Sequence, residues 1–388
     1  MSRIAIRPPD RFVALCPSQS MTSAPTVSTQ PRPLRRVRVY CYCPWADRLE
    51  AADDFLRELP ARDLSARIAN PADPSLMRMA RIDCDWHAET VRVCAAMVQP
   101  GIEFLPSKVL GAKGLADLVS LPASPDEERW FVLTAQHPKE FAGVAGRVLA
   151  QLQRQRIHTF YYAFDEASRS LGCFNDIAPH LDVLIHDESP LATEGRAALS
   201  ARCLAIHRSW VANLLPFGVP FNEQPESKIL FLGSRLGFTP HRRRQVEFLQ
   251  KKFKDRMVAI HDHSVAVSAQ RELARLKVSI CPEGRMFATP GMRFSHTDRP
   301  FWSGCFGMVP VCEDSKEGGR LEALHQQRLI LRYAHGSLPA LARACDEALA
   351  SSTADRRRIY DYFNRHETVG AVIAAAIGEW YGRNSPGA

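Results

Sequence analysis

Alternation of short apolar runs with helical segments is the feature of this sequence that most constrains its fold. In the second half, strands are predicted at residues 229–232, 257–260, 278–281, 309–312 and 329–331, with helices at 240–253 and 264–275 between the first three strands. Buried strands separated by helices of ten or more residues are typical of βαβ units and of a parallel sheet. We therefore expect an α/β fold built from Rossmann-like units.

The first half shows the same alternation less regularly. Its predicted strands are 37–42, 130–134, 159–163 and 181–185, and its predicted helices are 46–59 and 138–154. A segment with three prolines and one glycine in twelve residues, 214–225, separates the two halves. Such a segment is stiff and extended, which favours a domain boundary. We predict two Rossmann-like domains, at residues 37–215 and 226–353.

Residues 1–36 differ in composition from the rest, because they are rich in proline, serine, threonine and arginine and show no periodicity. This composition predicts a disordered tail, within which Met21 is a second candidate start. The first 38 residues hold seven arginines and one acid, so they carry +6 of the net charge of +8. The other 350 residues carry only +2. A nearly neutral body disfavours a nucleic-acid-binding protein, whose basic residues lie on the folded surface.

Cysteine usage and hydropathy bear on the compartment. The eleven cysteines include no CxxC pair, which argues against a disulfide framework and a zinc ribbon and favours a reducing, cytoplasmic setting. No apolar run approaches the roughly 18 residues of a transmembrane span. Charged residues interrupt the N-terminal apolar stretches before a signal peptide can form.

Candidate ligand-binding residues follow the predicted strands of the second half, because open parallel sheets bind ligands beyond the carboxyl ends of their strands. The first strand is followed by Gly233, Ser234 and Arg235, where glycine permits close approach and arginine can pair with an anion. Neither the GxGxxG nor the GxxxxGK[ST] spacing occurs there. The sequence therefore gives no support for a dinucleotide-dependent oxidoreductase or for an ATPase.

The loop after the third strand is richer in groups that could bind a diphosphate. Its arginines can form bidentate charge-assisted hydrogen bonds, and the helix that follows has free backbone N–H groups at its start. Thr297 or Asp298 could cap that helix, and pairing of the arginines with neighbouring acids is the competing interpretation. The candidate residues of this loop are Glu283, Gly284, Arg285, Arg293, Asp298 and Arg299. Glu313 and Asp314 follow the next strand and could bind sugar hydroxyls, although loop acids are often merely solvated.

These motifs resemble the donor-binding half of GT-B fold glycosyltransferases, closest to exostosin-like and spore-maturation glycosyltransferase-like proteins. The resemblance covers about 180 residues. It rests on a strand ending in Pro-x-Gly, an arginine before a helix and a glycine ahead of a Pro-Val strand, together with the linker 215–219. The matching residues are Pro282, Gly284, Arg293, Arg299, Gly307, Pro310 and Val311. It implies two domains facing a central cleft, with a nucleotide-sugar as co-substrate and a C-terminal helix, 354–388, that packs back on the first domain.

The sequence departs from that family at one position. Many GT-B enzymes hold the donor ribose with a glutamate on the helix after the arginine, whereas this chain continues with Pro300, Phe301 and Trp302. An aromatic contact from Phe301 or Trp302 is the substitute that we consider. The resemblance also implies that no metal is needed. His261 and His263, at i and i+2, are a weak metal signal without a third ligand.

If the reaction inverts configuration, the resemblance implies a catalytic base on a first-domain loop. The candidates near predicted strand ends are Asp47, His137, Asp165, Glu166 and Asp187. His137 has the ordinary pKa best suited to proton transfer near neutrality.

The sequence thus predicts a glycosyltransferase that moves a sugar from a nucleotide-sugar to a glycan, lipid-linked or small-molecule acceptor. A non-catalytic nucleotide- or glycan-binding module of the same fold is the main alternative, favoured by the missing glutamate. A DNA-modifying glycosyltransferase is a weaker alternative.

Overall fold

Two all-parallel sheets organise the chain. The computed structural model describes residues 34–43, 46, 87–122, 124–134, 145–163, 174, 176–186, 199–207, 220–233, 239–260, 273–282, 298–314 and 319–384. Within these residues, every pairing between named strands is parallel, as βαβ connections require.

The first sheet has the strand order β2-β1-β4-β5-β6-β7, with β3 pairing beside β2 on the same edge of β1. Its strands alternate little between polar and apolar residues, because a parallel sheet is covered on both faces. For example, all four residues of β6 are buried. The strands are Arg35–Tyr42 (β1), Ile102–Leu105 (β2), Val109–Leu110 (β3), Glu128–Thr134 (β4), Ile157–Ala163 (β5), Val183–His186 (β6) and Leu204–His207 (β7).

The second sheet has the order β12-β11-β10-β8-β9. The first strand of this sheet, β8, lies between the second and third, so the chain continues to one side of β8 and then to the other. This is the doubly wound order 2-1-3-4-5, whose switch point lies between β8 and β10. The strands are Glu226–Leu232 (β8), Met257–Ile260 (β9), Leu276–Cys281 (β10), Val309–Glu313 (β11) and Leu331–Tyr333 (β12).

Helices cover both sheets. They are Ala112–Ser120 (α1), Ala145–Arg154 (α2), Pro240–Phe253 (α3), Arg299–Cys305 (α4), Gly319–Gln326 (α5), Leu338–Ala350 (α6), Thr353–His366 (α7) and Val369–Asn384 (α8). Residues 87–96 are also helical. Short 3₁₀ turns occupy Ala178–His180 and Lys254–Arg256. No helix of the described residues is both long and apolar enough to cross a membrane.

The C-terminal segment is two helices with different partners rather than the single helix 354–388. Helix α7 begins with a capping box between Ser352 and Asp355, and its Phe363 is buried in the core of the second sheet. Helix α8 packs in the core of the first sheet, where Ile373 and Ile377 are fully buried. The chain therefore passes from one core to the other at the break between these helices.

The predicted elements agree with the structure for the long apolar runs and differ at their edges. Strand β9 has the predicted bounds, but β12 begins at Leu331, two residues later than the predicted start at residue 329. Strand β1 begins at Arg35, inside the predicted tail, because Arg35 pairs with Glu128 and Arg36 with Glu103 on adjacent strands. Residues 1–33 and the predicted helices 46–59 (except Ala46) and 264–275 (except residues 273–275) lie outside the described residues.

Candidate functional site

The carboxyl ends of β8 and β10 form the switch point of the second sheet, and Gly233 and Arg299 come together there. Gly233 directly follows β8, and its N–H donates to the Ile260 carbonyl at 3.0 Å. Arg299 begins α4, and its Nε donates to the carbonyl of Leu232 at 2.6 Å. The first residue of α4 is thus hydrogen-bonded to the end of β8.

Close packing at this point leaves little room for a side chain at position 233. A Cβ atom on Gly233 would lie 2.8 Å from Cζ of Phe231 and 3.1 Å from Nη2 of Arg299. The guanidinium carbon of Arg299 lies 5.7 Å from the centre of the Phe231 ring. Because Arg299 is only 6% exposed, its side chain holds the strand end in place as well as carrying positive charge to it.

Helix α4 is a core element, and this changes the roles of two predicted site residues. All seven of its residues are buried. The Phe301 ring is fully buried, with the Arg320 guanidinium 4.3 Å from its centre, so neither Phe301 nor the equally buried Trp302 is placed to stack on a ribose. Asp298 precedes the helix, but its side chain makes no capping hydrogen bond.

Glu313, at the end of β11, is a fully buried carboxylate rather than a solvated loop acid. Its Oε1 atom accepts hydrogen bonds from the backbone N–H of Gly336 at 2.8 Å and from Nε2 of Gln245 at 2.9 Å. Nε2 of His241 lies 2.7 Å from the same oxygen, and Nδ1 of His335 lies 3.2 Å from it. A buried carboxylate needs such partners, because desolvation without them is costly.

Several elements position this cluster. His241 lies in the first turn of α3, which Thr239 caps by accepting from the Arg242 N–H. His335 follows β12, and its ring stacks on that of His241 with centres 4.7 Å apart. Tyr333 donates its hydroxyl to Oε1 of Gln245 at 2.7 Å, and burial raises the pKa of Tyr333 well above its usual range.

Sequence reasoning singled out Glu313 but missed His241, Gln245 and His335. The available signal was a His-Gly pair, His335 and Gly336, just beyond a strand; placing that strand two residues early obscured it. Asp314, the other predicted acid, forms an ion pair with Arg332, with Nε and Oδ1 2.7 Å apart.

Most of the other predicted site residues lie outside the described residues. They are the donor-loop residues Ser234, Arg235, Glu283, Gly284, Arg285 and Arg293, the base candidates Asp47, His137, Asp165, Glu166 and Asp187, and the weak metal pair His261 and His263. Their roles remain predictions.

A cavity of about 610 Å³ lies at the amino-terminal ends of the strands of the first sheet. Its lining includes Glu128 and Ile157, which begin β4 and β5, and Asp182, which precedes β6. Ligands of open parallel sheets bind at the carboxyl edge, whereas this cavity is at the amino edge. We therefore place the candidate site at the carboxyl edge of the second sheet.

The comparisons with known proteins give remote structural similarities only. No family model and no curated protein matches the sequence. One similar structure is that of AviGT4, a glycosyltransferase involved in avilamycin A biosynthesis, with 11% identity, a TM-score of 0.37 and coverage of 63% of this chain and 91% of that chain. A mutant O-GlcNAc transferase of Thermobaculum terrenum has 12% identity, a TM-score of 0.40 and coverage of 93% and 70%. The spinosyn rhamnosyltransferase SpnG, bound to the spinosyn aglycone, has 8% identity, a TM-score of 0.35 and coverage of 76% and 96%.

Proposed function

We propose that this chain is a glycosyltransferase that transfers a sugar from a nucleotide-sugar to an acceptor, with the nucleotide diphosphate bound at the carboxyl edge of the second sheet. The contact of Arg299 with the end of β8, beside Gly233, carries this proposal. It brings an arginine and a glycine to the switch point of a doubly wound sheet, where such sheets bind ligands.

The segment 283–297, which the sequence predicts to be a loop, strengthens the proposal, because the described residues on either side of it lie at this point. It leaves β10 at Pro282 and re-enters the described chain at Asp298, next to Arg299. The loop contains Arg285 and Arg293. Arginine binds diphosphate oxygens in bidentate fashion, so these residues are the proposed ligands of the leaving group.

The proposed reaction is a displacement at the anomeric carbon. The acceptor oxygen bonds to that carbon while the bond from the carbon to the diphosphate oxygen breaks. The nucleoside diphosphate departs with the electron pair, and the proton of the acceptor hydroxyl passes to a base. Positive charge held near the diphosphate stabilises the charge that develops on it.

The proposed base comes from the first sheet. Strands β4, β5 and β6 lie side by side and are parallel, so their carboxyl ends share one edge. His137, Asp165 and Asp187 each follow one of these strands within three residues. This adjacency supports them as candidates for deprotonating the acceptor.

Thermal unfolding in the presence of UDP, GDP, TDP and CMP tests the nucleotide site directly. We expect one nucleotide to raise the unfolding midpoint, because a ligand at 100 times its Kd adds about 2.7 kcal/mol of stability. Calorimetry with that nucleotide should then show about ten- to a hundredfold weaker binding for Arg293→Ala. Arg365→Ala removes an exposed arginine on α7 and serves as the control. Equal nucleotide affinity in both variants would contradict the proposed binding of the diphosphate by the arginines of this segment.

A non-catalytic nucleotide- or glycan-binding protein is the second candidate, and helix α4 favours it. Its sequence, RPFWSGC, contains no acid, and its aromatic rings are buried, so it provides no ribose contact of the kind the family uses. Release of nucleoside diphosphate from a panel of nucleotide-sugars separates the two candidates. Slow hydrolysis of a nucleotide-sugar without an acceptor supports the enzyme. Binding of a nucleotide-sugar without turnover, whichever acceptor is added, supports the binding protein.

A further inference from the structure

The cluster of His241, Glu313 and His335 has the composition and spacing of a metal site. Each residue offers one ligand atom, and the three atoms lie within 4.8 Å of one another. They come from three separate elements: the first turn of α3, the end of β11 and the segment after β12. Two imidazoles and a carboxylate form a donor set that zinc accepts readily.

The polar contacts around Glu313 show why a cation fits here. Nε2 of His241, Nε2 of Gln245 and Oε1 of Glu313 are separated pairwise by 2.7, 2.8 and 2.9 Å. If His241 carries a proton on Nε2, that atom donates to Glu313 but faces the Gln245 amide nitrogen, another donor. If Nε2 is unprotonated, it accepts from Gln245 but faces the carboxylate, another acceptor. While Glu313 is ionised, one of the three close contacts therefore cannot be a hydrogen bond, because its two atoms are both donors or both acceptors.

A divalent cation removes this conflict. The cation accepts the Nε2 lone pair of His241 and is bound at the same time by the negatively charged carboxylate of Glu313. The side-chain amide of Gln245 can also rotate by half a turn, because Tyr333 can accept as well as donate a hydrogen bond. The amide oxygen then faces the cation.

Exposure of the two histidines gives the site access to solvent. The side chains of His241 and His335 are 34% and 50% exposed, whereas that of Glu313 is fully buried. Three protein ligands with one side open to solvent are the arrangement of zinc sites that bind a further ligand, rather than of closed structural sites.

We propose that His241, Glu313 and His335 bind one divalent transition-metal ion, with zinc the best fit to the donor set. The site lies at the carboxyl edge of the second sheet, two strands from β8. The proposal does not depend on the proposed glycosyltransferase function, since the site is defined by its own ligands. Mg²⁺ is expected not to bind, because it prefers a shell of oxygen ligands.

Calorimetric titration of the full chain with ZnCl₂, after removal of metals by a chelator, tests the proposal. We expect one equivalent of Zn²⁺ to bind at a site whose affinity falls at least tenfold in His335→Ala and in Glu313→Gln. His366→Ala, which removes an exposed histidine of α7, is the matched control and should bind as the unsubstituted chain does. Co²⁺ should give the visible absorption of a low-coordinate nitrogen and oxygen site, and the same variants should lose it.

His335→Ala decides the question even if Glu313→Gln fails to fold, because His335 is half exposed. Circular dichroism establishes that each variant keeps its secondary structure. Zinc affinity that is the same in His335→Ala and His366→Ala would overturn the proposal, as would the absence of any zinc binding. In either case the cluster would be a set of hydrogen bonds around a buried carboxylate.

Discussion

The indole nitrogen of Trp130 in β4 donates a hydrogen bond to the hydroxyl oxygen of Tyr381 in α8, with 3.0 Å between the two atoms. The residues are 251 positions apart, and both are buried. The Tyr381 hydroxyl in turn donates to Oε2 of Glu128 at 2.7 Å. A hydrogen-bonded chain of three residues therefore joins the C-terminal helix to the first sheet.

Tyr381→Phe is expected to lower the free energy of unfolding by about 1–3 kcal/mol, because it leaves the buried Trp130 N–H without its acceptor. Urea unfolding measures this difference. Glu379→Gln is the matched control on the same helix, since its exposed pairing with Arg383 contributes at most about 0.5 kcal/mol. Equal stability of the two variants would show that the hydrogen bond to Trp130 does not hold α8 on the sheet.

A charged group of side chains beside this contact predicts a dependence of stability on pH. His158 lies 3.4 Å from Asp182 and 3.7 Å from Glu128 and stacks on Trp130. The neighbouring His158 imidazole, together with hydrogen bonds from Tyr381 and Arg35, outweighs burial and lowers the pKa of Glu128 to about 2. Burial disfavours the charged form of His158, but hydrogen bonds and charges from Asp182 and Glu128 outweigh it and raise the pKa.

The two groups lose their contributions in opposite directions. Glu128 stabilises the fold fully above its unfolded pKa of about 4.3, and this is lost as pH falls from about 5 towards 2. His158 stabilises the fold fully below its unfolded pKa of about 6.5, and this is lost as pH rises through the higher folded value. In urea unfolding, Glu128→Gln should therefore cost less at pH 3 than at pH 6, and His158→Gln less at pH 9 than at pH 6. A cost that does not vary with pH would contradict the assignment.

Packing at the switch point predicts the effect of Gly233→Ala. The added methyl group would lie 2.8 Å from the Phe231 ring and 3.1 Å from the Arg299 guanidinium, so both must move. We expect a loss of about 1–3 kcal/mol in the free energy of unfolding, as for other overpacked sites. Gly382→Ala is the control, because a Cβ atom there meets nothing within 4 Å. If Gly233→Ala unfolds at the same urea concentration as Gly382→Ala, the site tolerates the methyl group. The close packing at Gly233 would then not contribute to the free energy of unfolding.

The difference between Glu313 and β9 shows what the sequence could and could not predict. Strand β9, Met257–Ile260, is an apolar run between two predicted helices, so the local sequence pattern was sufficient to place it. The burial of Glu313 depends on His241, 72 residues earlier in the chain, and on the N–H of Gly336, 23 residues later. No local sequence pattern predicts hydrogen-bond partners at such distances along the chain. For the same reason β2 was missed, because its four residues become a strand through pairing with Arg35–Arg38.

The catalytic base of the proposed transferase gives the last prediction. If the reaction inverts configuration, removing the base should lower kcat about 10²–10⁴-fold while nucleotide affinity is kept, because the other sheet is proposed to bind the nucleotide. His137→Ala, Asp165→Asn and Asp187→Asn are compared one at a time, with turnover and nucleotide affinity measured on the same preparation. His137 is our first choice, since it follows β4, a central strand of the first sheet, and has the most suitable ordinary pKa. Normal turnover in all three variants would place the base elsewhere or indicate retention of configuration. A fall in nucleotide affinity together with turnover would contradict the proposed division of roles between the two sheets.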